Sequence, residues 1–265
     1  MLPKHLVLVR HGQSEANIFQ QMTDGTAIKI PSEFTSRHDS QMRLSPLGSN
    51  QARIAGRWLK EHNLAEFDKY FVSPHIRTRE TAAHLRLGGH WRLDDRWRER
   101  DWGELASLSK EEQRQEYANS INLKKQNEWY WKPLGGESMA TGVRARFTAI
   151  MDLLYRQTHT DRVIGVTHGE LIRVAQFVIE QMDPTQFVNM DADPAYKVQN
   201  TMIVHYTRVN PETGEEEDSY HWRRAICPWN ESFSWDGGEW TEFRLRYLTD
   251  DELLESALEI PRLLV

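Results

Sequence analysis

Two histidines, His11 and His168, are each followed by glycine and each stand just past a short apolar run. Arg10 precedes the first, and Arg77 lies in a separate segment, Ser73-Pro74-His75-Ile76-Arg77. One histidine in such a place is as readily a hydrogen-bonded structural residue as a reactive one. Two in equivalent positions, joined by arginines, point instead to a nucleophilic imidazole beside an anion cradle. An imidazole attacks only when neutral, with one ring nitrogen free and the other held by a hydrogen bond that fixes the tautomer. Neighbouring cations disfavour its protonation, so Arg10, Arg77 and His168 push His11 towards the neutral form. The same cations stabilise negative charge on the oxygens of a transferring phosphoryl group. Gly12 and Gly169 are expected to let backbone N–H groups approach the anion closely. The leaving oxygen needs a proton, and Glu99, in Arg98-Glu99-Arg100-Asp101-Trp102-Gly103, is the candidate acid. Flanking arginines favour its carboxylate and burial against Trp102 favours the acid, a balance that the sequence leaves open.

These side chains must be brought together by the elements that carry them. Leu6-Val7-Leu8-Val9 and Val163-Ile164-Gly165-Val166 are continuous rather than alternating apolar runs, as strands covered on both faces are. Tyr70-Phe71-Val72 reads as a third strand. Helices are predicted after Ser45-Pro46, from about Arg77 to Leu87, from about Ser138 to Thr158, and through Ile172, Ala175, Val178 and Ile179. Residues 109–131 are charged, amphipathic and predicted helical, with Pro133 and Gly135-Gly136 ending them. Residues 18–43 read as an irregular surface excursion broken at Asp24-Gly25 and Ile30-Pro31. Met202 to Val209 and Tyr220 to Ile226 form a predicted hairpin, and the Trp-rich stretch Trp229 to Trp240 has no evident assignment. The fold class is α/β, a mainly parallel central sheet flanked by helices on both faces. Residues 1–265 are expected to form one domain, with an insertion at about 18–43 and a C-terminal extension from about 202. In such sheets ligands bind at the carboxyl ends of the strands, where His11, Arg77 and His168 fall.

The formal net charge is -6, with no basic stripe or Lys/Arg block. That balance argues against a nucleic acid or a membrane surface as partner, while a small phosphorylated substrate needs only a local basic pocket. A single cysteine, Cys227, excludes an internal disulfide framework. The apolar run near the N-terminus is interrupted by Arg10 and is too short for a signal segment or a membrane span. A cytoplasmic location is therefore expected, and no oligomeric state is specified.

Five segments, in order, resemble the histidine phosphatase superfamily, which includes cofactor-dependent phosphoglycerate mutases. They are Leu8-Val9-Arg10-His11-Gly12-Gln13-Ser14-Glu15-Ala16-Asn17, Leu44-Ser45-Pro46-Leu47-Gly48 with Gln51-Ala52, and Ser73-Pro74-His75-Ile76-Arg77-Thr78-Arg79-Glu80-Thr81-Ala82. Arg98-Glu99 with Trp102-Gly103, and Val166-Thr167-His168-Gly169, complete the set. The resemblance implies a phosphoglycerate mutase-like three-layer fold and a phosphorylated nucleophile at His11. It further implies a pocket of Arg10, Arg77 and His168, Glu99 as proton donor, Asn17 as a phosphate contact, and neither metal nor cofactor.

Hydrolases and mutases in such a family share the pocket and differ in where the phosphoryl group goes. Lys110 sits at the interval from Glu99 where mutases carry a substrate-binding lysine. Against that, the mutases' tandem arginines are replaced by Lys124-Lys125, which lack the guanidinium fork. Gly135-Gly136-Glu137-Ser138 is more similar to the phosphatases. A phosphomonoester hydrolase is the favoured expectation, with a bisphosphate-dependent phosphoglycerate mutase as alternative. An inactive phosphate-binding module runs against the presence of all five pocket residues. A two-histidine, one-carboxylate iron site would place Arg10 and Arg77 against a dication. The remaining histidines have no paired context and read as surface or satisfied positions. Arg37, His38 and Asp39 lie in the excursion, within conceivable reach of substrate. Glu137 reads as structural, and Asn200-Thr201 suits a site contact as well as a strand start.

Overall fold

The computed structural model describes residues 1–23, 36–157, 159–244 and 247–263, and all their side chains except those of Ser107 and Lys110. Seven strands form one sheet: β1 (His5–Arg10), β2 (Lys69–Val72), β3 (Trp91–Leu93), β4 (Arg162–Thr167), β5 (Ile203–Thr207), β6 (Trp222–Ile226) and β7 (Thr241–Glu242), in the order β3-β2-β4-β1-β5-β6-β7. The first four in that order run parallel. From β5 onward each strand is antiparallel to its neighbour. The sheet is thus mixed, and its parallel half carries the reactive residues.

Strand geometry sends successive side chains to opposite faces, and β1 divides the core accordingly. Leu6 and Leu8 join Phe147, Ile150 and Leu154 of α6 (Arg144–Arg156) and Leu171, Ile172 and Ala175 of α7 (Gly169–Ile179). Val7 and Val9 face Ala55 and Leu59 of α2 (Pro46–Glu61) and Ala82 and Leu85 of α3 (Ile76–Leu85). Both sets are buried, so helices cover both faces, as the apolar runs predict. Ser45 caps α2, accepting from the Gly48 N–H at 3.0 Å, with Pro46 in the first turn.

Some elements differ from the sequence reading. Helix α1 (Glu15–Thr23) occupies the start of the stretch read as irregular from residue 18, and residues 24–35 lie outside the described residues. The segment 109–131 holds two helices, α4 (Lys110–Glu116) and α5 (Ala118–Gln126), meeting at Tyr117. The long helix opens with a π turn over Met139–Val143. Helix α8 (Pro184–Ala192), with its Asp183–Gln186 capping box, and α9 (Asp250–Leu258) were not anticipated. The Trp-rich stretch packs on the sheet: Trp235 is buried, and Trp229 donates its indole N–H to the Asn200 carbonyl at 2.7 Å. No helix among the described residues is long and apolar enough to cross a membrane.

Candidate active site

Parallel strands β2, β4 and β1 are neighbours, so their carboxyl ends lie side by side. β1 delivers Arg10 and His11, β4 delivers His168, and the turn after β2 delivers Ser73, His75 and, at the start of α3, Arg77. The His11 N–H donates to the Thr167 carbonyl at 2.9 Å, extending the ladder by one rung.

His11 is buried, and its Nδ1 lies 2.7 Å from the carbonyl oxygen of Gly12. A carbonyl only accepts, so Nδ1 carries the proton and Nε2 keeps its lone pair. The Nε–H of Arg77 approaches that Nε2 at 3.3 Å. Burial, then the guanidiniums of Arg77 and Arg10, hold the ring's pKa well below the usual histidine value. His168 meets His11 edge-on, with ring centroids 5.2 Å apart, and burial followed by Arg77 keeps it neutral too. Its Nε2 pairs with Ser73 Oγ at 2.8 Å, and its buried Nδ1 has no hydrogen-bond partner. Arg10 is fixed through Nη1 on the Val198 carbonyl, and its buried Nε is unpartnered.

Glu99 Oε2 sits 3.9 Å from His168 Nδ1. Burial and the nearby Glu170 push its carboxyl up to about 7, against Arg77 and Arg10. The balance left open by the sequence therefore falls towards the acid, because the flanking arginines point elsewhere. Arg98 pairs with Glu137 at 2.6 Å, and Arg100 donates to the carbonyls of Glu137 and Trp131. The Trp102 ring stacks on the Arg100 guanidinium, 4.8 Å away, rather than on the acid. The arrangement offers a neutral imidazole lone pair, guanidinium donors beside it, and a carboxylic acid across the gap. That is equipment for phosphoryl transfer with protonation of the leaving oxygen.

The sequence profile of the Histidine phosphatase superfamily (branch 1) matches residues 6–208. The chain belongs to that superfamily. It is 30% identical over 192 residues to a protein named 2,3-bisphosphoglycerate-dependent phosphoglycerate mutase from Methylorubrum populi, covering 70% of this chain and 84% of the relative. Among solved structures, "Mycobacterial hydrolase 1" superposes with a TM-score of 0.59 at 25% identity, covering 77% of this chain and 91% of that one. A mycobacterial glucosyl-3-phosphoglycerate phosphatase in complex with VO3 superposes with a TM-score of 0.60 at 24% identity, covering 77% and 92%.

In this member of the superfamily, His11, Arg10, Arg77, His168 and Glu99 converge. Gly12 does not present its amide to the pocket. Its N–H donates to Thr81 Oγ1 at 3.0 Å, and a Cβ there would lie 2.4 Å from the Gly48 carbonyl oxygen. The residue is small because two backbones meet there. Gly169 opens α7 beside the Arg10 guanidinium, where a Cβ would find ordinary contact. Asn17 Oδ1 accepts from Ser14 N–H at 3.1 Å and from Asn200 Nδ2 at 3.1 Å. Asn200 also donates to the His11 carbonyl at 3.1 Å, so it braces the histidine's backbone immediately before β5. The side chain of Lys110 lies outside what is described, although its backbone opens α4.

His75 and Glu170 escaped sequence reading as site neighbours, and Asp39 was read only as within reach of substrate, not as a partner of Arg77. His75 is buried, its ring 4.7 Å from His168 and its pKa lowered to about 4, chiefly by burial. Asp39 reaches Arg77 through both carbonyl and carboxylate. Glu170, which raises the Glu99 carboxyl, was also missed, although its place one residue past the second His-Gly pair is the signal that could have found it. Among the described residues, no group of three or more His, Cys, Asp and Glu side chains is arranged to hold a metal.

Proposed function

We propose that the chain is a phosphomonoester hydrolase acting on a small phosphorylated metabolite through a phosphohistidine at His11. The observation that carries this reading is the His11 ring, with Nδ1–H tied to Gly12 and Nε2 turned to the Arg77 guanidinium. In the first step Nε2 attacks phosphorus while the bond to the leaving oxygen breaks, and Glu99 gives that oxygen its proton. Arg10, Arg77 and His168 Nδ1 receive the phosphoryl oxygens, where preorganised donors stabilise the transition state without reorganising. In the second step a water attacks phosphorus, the Glu99 carboxylate takes its proton, and the P–N bond breaks to release inorganic phosphate. Asn17, Gly169 and Lys110 are assigned to substrate contact, with Gly12 serving through its carbonyl. The whole chain is read as one catalytic domain, elaborated at about 18–43 and from about 202.

Hydrolysis is favoured over mutase chemistry by the state of the other cations. A bisphosphate that must reorient needs a second set of uncommitted donors. Here Lys124 pairs with Glu128 at 3.0 Å, and Arg98 and Arg146 share Glu137. The mutase reading is supported by the names of the sequence relatives, such as that from Methylorubrum populi. Side-by-side assays separate the two. Hydrolysis of phosphomonoesters exceeding bisphosphate-dependent interconversion of 3- and 2-phosphoglycerate supports the hydrolase, and the reverse ratio supports the mutase.

A further inference from the structure

The guanidinium of Arg77 has two usable edges, and only one faces His11. The end of the fork is taken: Nη1 donates to the Asp39 carbonyl at 2.7 Å and Nη2 to Asp39 Oδ2 at 2.8 Å. The side edge, Nε–H with the second Nη2 hydrogen, is the one whose Nε lies 3.3 Å from His11 Nε2. A guanidinium binds a pair of oxyanion oxygens through two parallel N–H groups, so orientation decides whether such a pair is offered to the right place.

We propose that Asp39 is a positioning residue, which clamps the end of the Arg77 fork so that its side edge faces the phosphoryl group at His11. The proposal rests on the hydrolase reading of the pocket and gives the segment after residue 35 a role in it.

The clamp is itself held. Asp39 begins a single 3-10 turn, Asp39–Gln41, capped by His38, whose Nδ1 accepts from Ser40 N–H at 3.2 Å. Just beyond it, Arg43 forms an ion pair with Glu80 on α3, and Leu44 N–H donates to the same carboxylate at 2.7 Å. The Arg43 N–H donates to Glu15 on α1 at 2.9 Å. Asp39 is thus fixed to the two helices that flank the pocket, one of which carries Arg77. Its carboxylate is partly exposed and stands 3.6 Å from His75 Nε2, whereas Arg77 is buried.

A carboxylate on a phosphate-binding arginine can also act as a plug that imitates the substrate. A plug would sit on the edge facing His11. Asp39 sits on the other end of the fork, compatible with a phosphoryl group on the side edge.

The test is a double-mutant cycle on the full chain, with Asp39→Ala, Arg77→Ala and the pair, measuring kcat/KM for an aryl phosphate and affinity for inorganic phosphate. Asp39→Ala should lower both on the order of 10–100-fold, as misorientation of a positioning group does. Asp39→Asn, which keeps an acceptor, should recover part of the loss. In the Arg77→Ala background Asp39→Ala should cost little more, since coupled residues are non-additive. An unchanged or faster Asp39→Ala enzyme, tighter phosphate binding, or equal losses in both backgrounds would overturn the proposal. Phosphate affinity is measured apart from turnover. A protein that binds phosphate through Arg77 without hydrolysing esters would therefore still show whether Asp39 orients that arginine.

Discussion

Glu137 and Arg146 meet fork to fork, with Arg146 Nε on Oε1 at 3.2 Å and Nη2 on Oε2 at 2.8 Å. The same guanidinium reaches the carbonyls of Arg96 and Arg98 at 2.9 Å and of Glu99 at 3.3 Å. The backbone that presents the acid is thereby stapled to helix α6, which is packed in the core. Glu137 also draws Arg98 away from Glu99.

This staple predicts a combined defect. Arg146→Ala leaves a largely buried carboxylate with one partner fewer and frees three carbonyls, which should cost about 3 kcal/mol of stability. Hydrolysis of esters with poor leaving groups should fall more than that of aryl esters, because the acid's placement is lost. Urea denaturation with paired substrates checks both. A stable variant with leaving-group-independent kinetics would refute the staple.

Glu99→Gln should slow alkyl phosphates on the order of a hundredfold and aryl phosphates far less. The acid must hold its proton to work, and its pKa is pushed up to about 7 by burial. Activity on alkyl esters should therefore be present below about pH 7 and decline as pH rises through it. His11 stays neutral down to well below 6.5, so its acid limb lies below that value. A kcat/KM profile with a poor leaving group should lose its basic limb in Glu99→Gln. Persistence of that limb would assign it to another group.

Both buried runs, β1 and β4, were legible because strands covered on two faces need no alternation. Arg10, His11 and His168 were legible because they stand at the carboxyl ends of those two strands. What escaped reading depends on distant partners. β3 is three residues long, too short for a periodic signal, and α8 is weakly amphipathic. Asp39 meets Arg77 across 38 residues of chain, with nothing local to mark it. The protonation of Glu99 was undecidable because Arg98 and Arg100 turn away only through contacts made by Glu137 and Trp131.

Acid should unfold the protein early. His5 and His75 have pKa values lowered to about 4, and His205 is lowered well below 6.5, each mainly by burial. His11 and His168 join them. The unfolded chain takes up these protons near pH 6.5 and the folded chain does not. Stability is thus complete above 6.5 and is lost as pH falls towards 4, at up to about 1.4 kcal/mol per pH unit for each histidine. Denaturation midpoints at pH 7, 6 and 5 check the sign. A midpoint that rises on acidification would contradict it.

Gly12→Ala places a Cβ against the Gly48 carbonyl, backbone against backbone, so neither side can yield as a flexible side chain would. A loss of about 1–3 kcal/mol is expected. Turnover should fall too, since the Gly12 carbonyl is the anchor of His11 Nδ1. Gly169→Ala, where a Cβ meets only ordinary contact 3.5 Å from Arg10, is the matched control for stability. Equal stability of the two variants would argue against the close approach.

The central claim is that the imidazole of His11 carries the phosphoryl group. Rapid acid-free quenching during turnover, followed by peptide mass mapping, measures it directly. The account predicts one phosphoryl group on His11, stable to base, labile to acid and absent from His11→Ala, which should be inactive. Turnover retained by His11→Ala, or a phosphoryl group trapped on another residue, would contradict it.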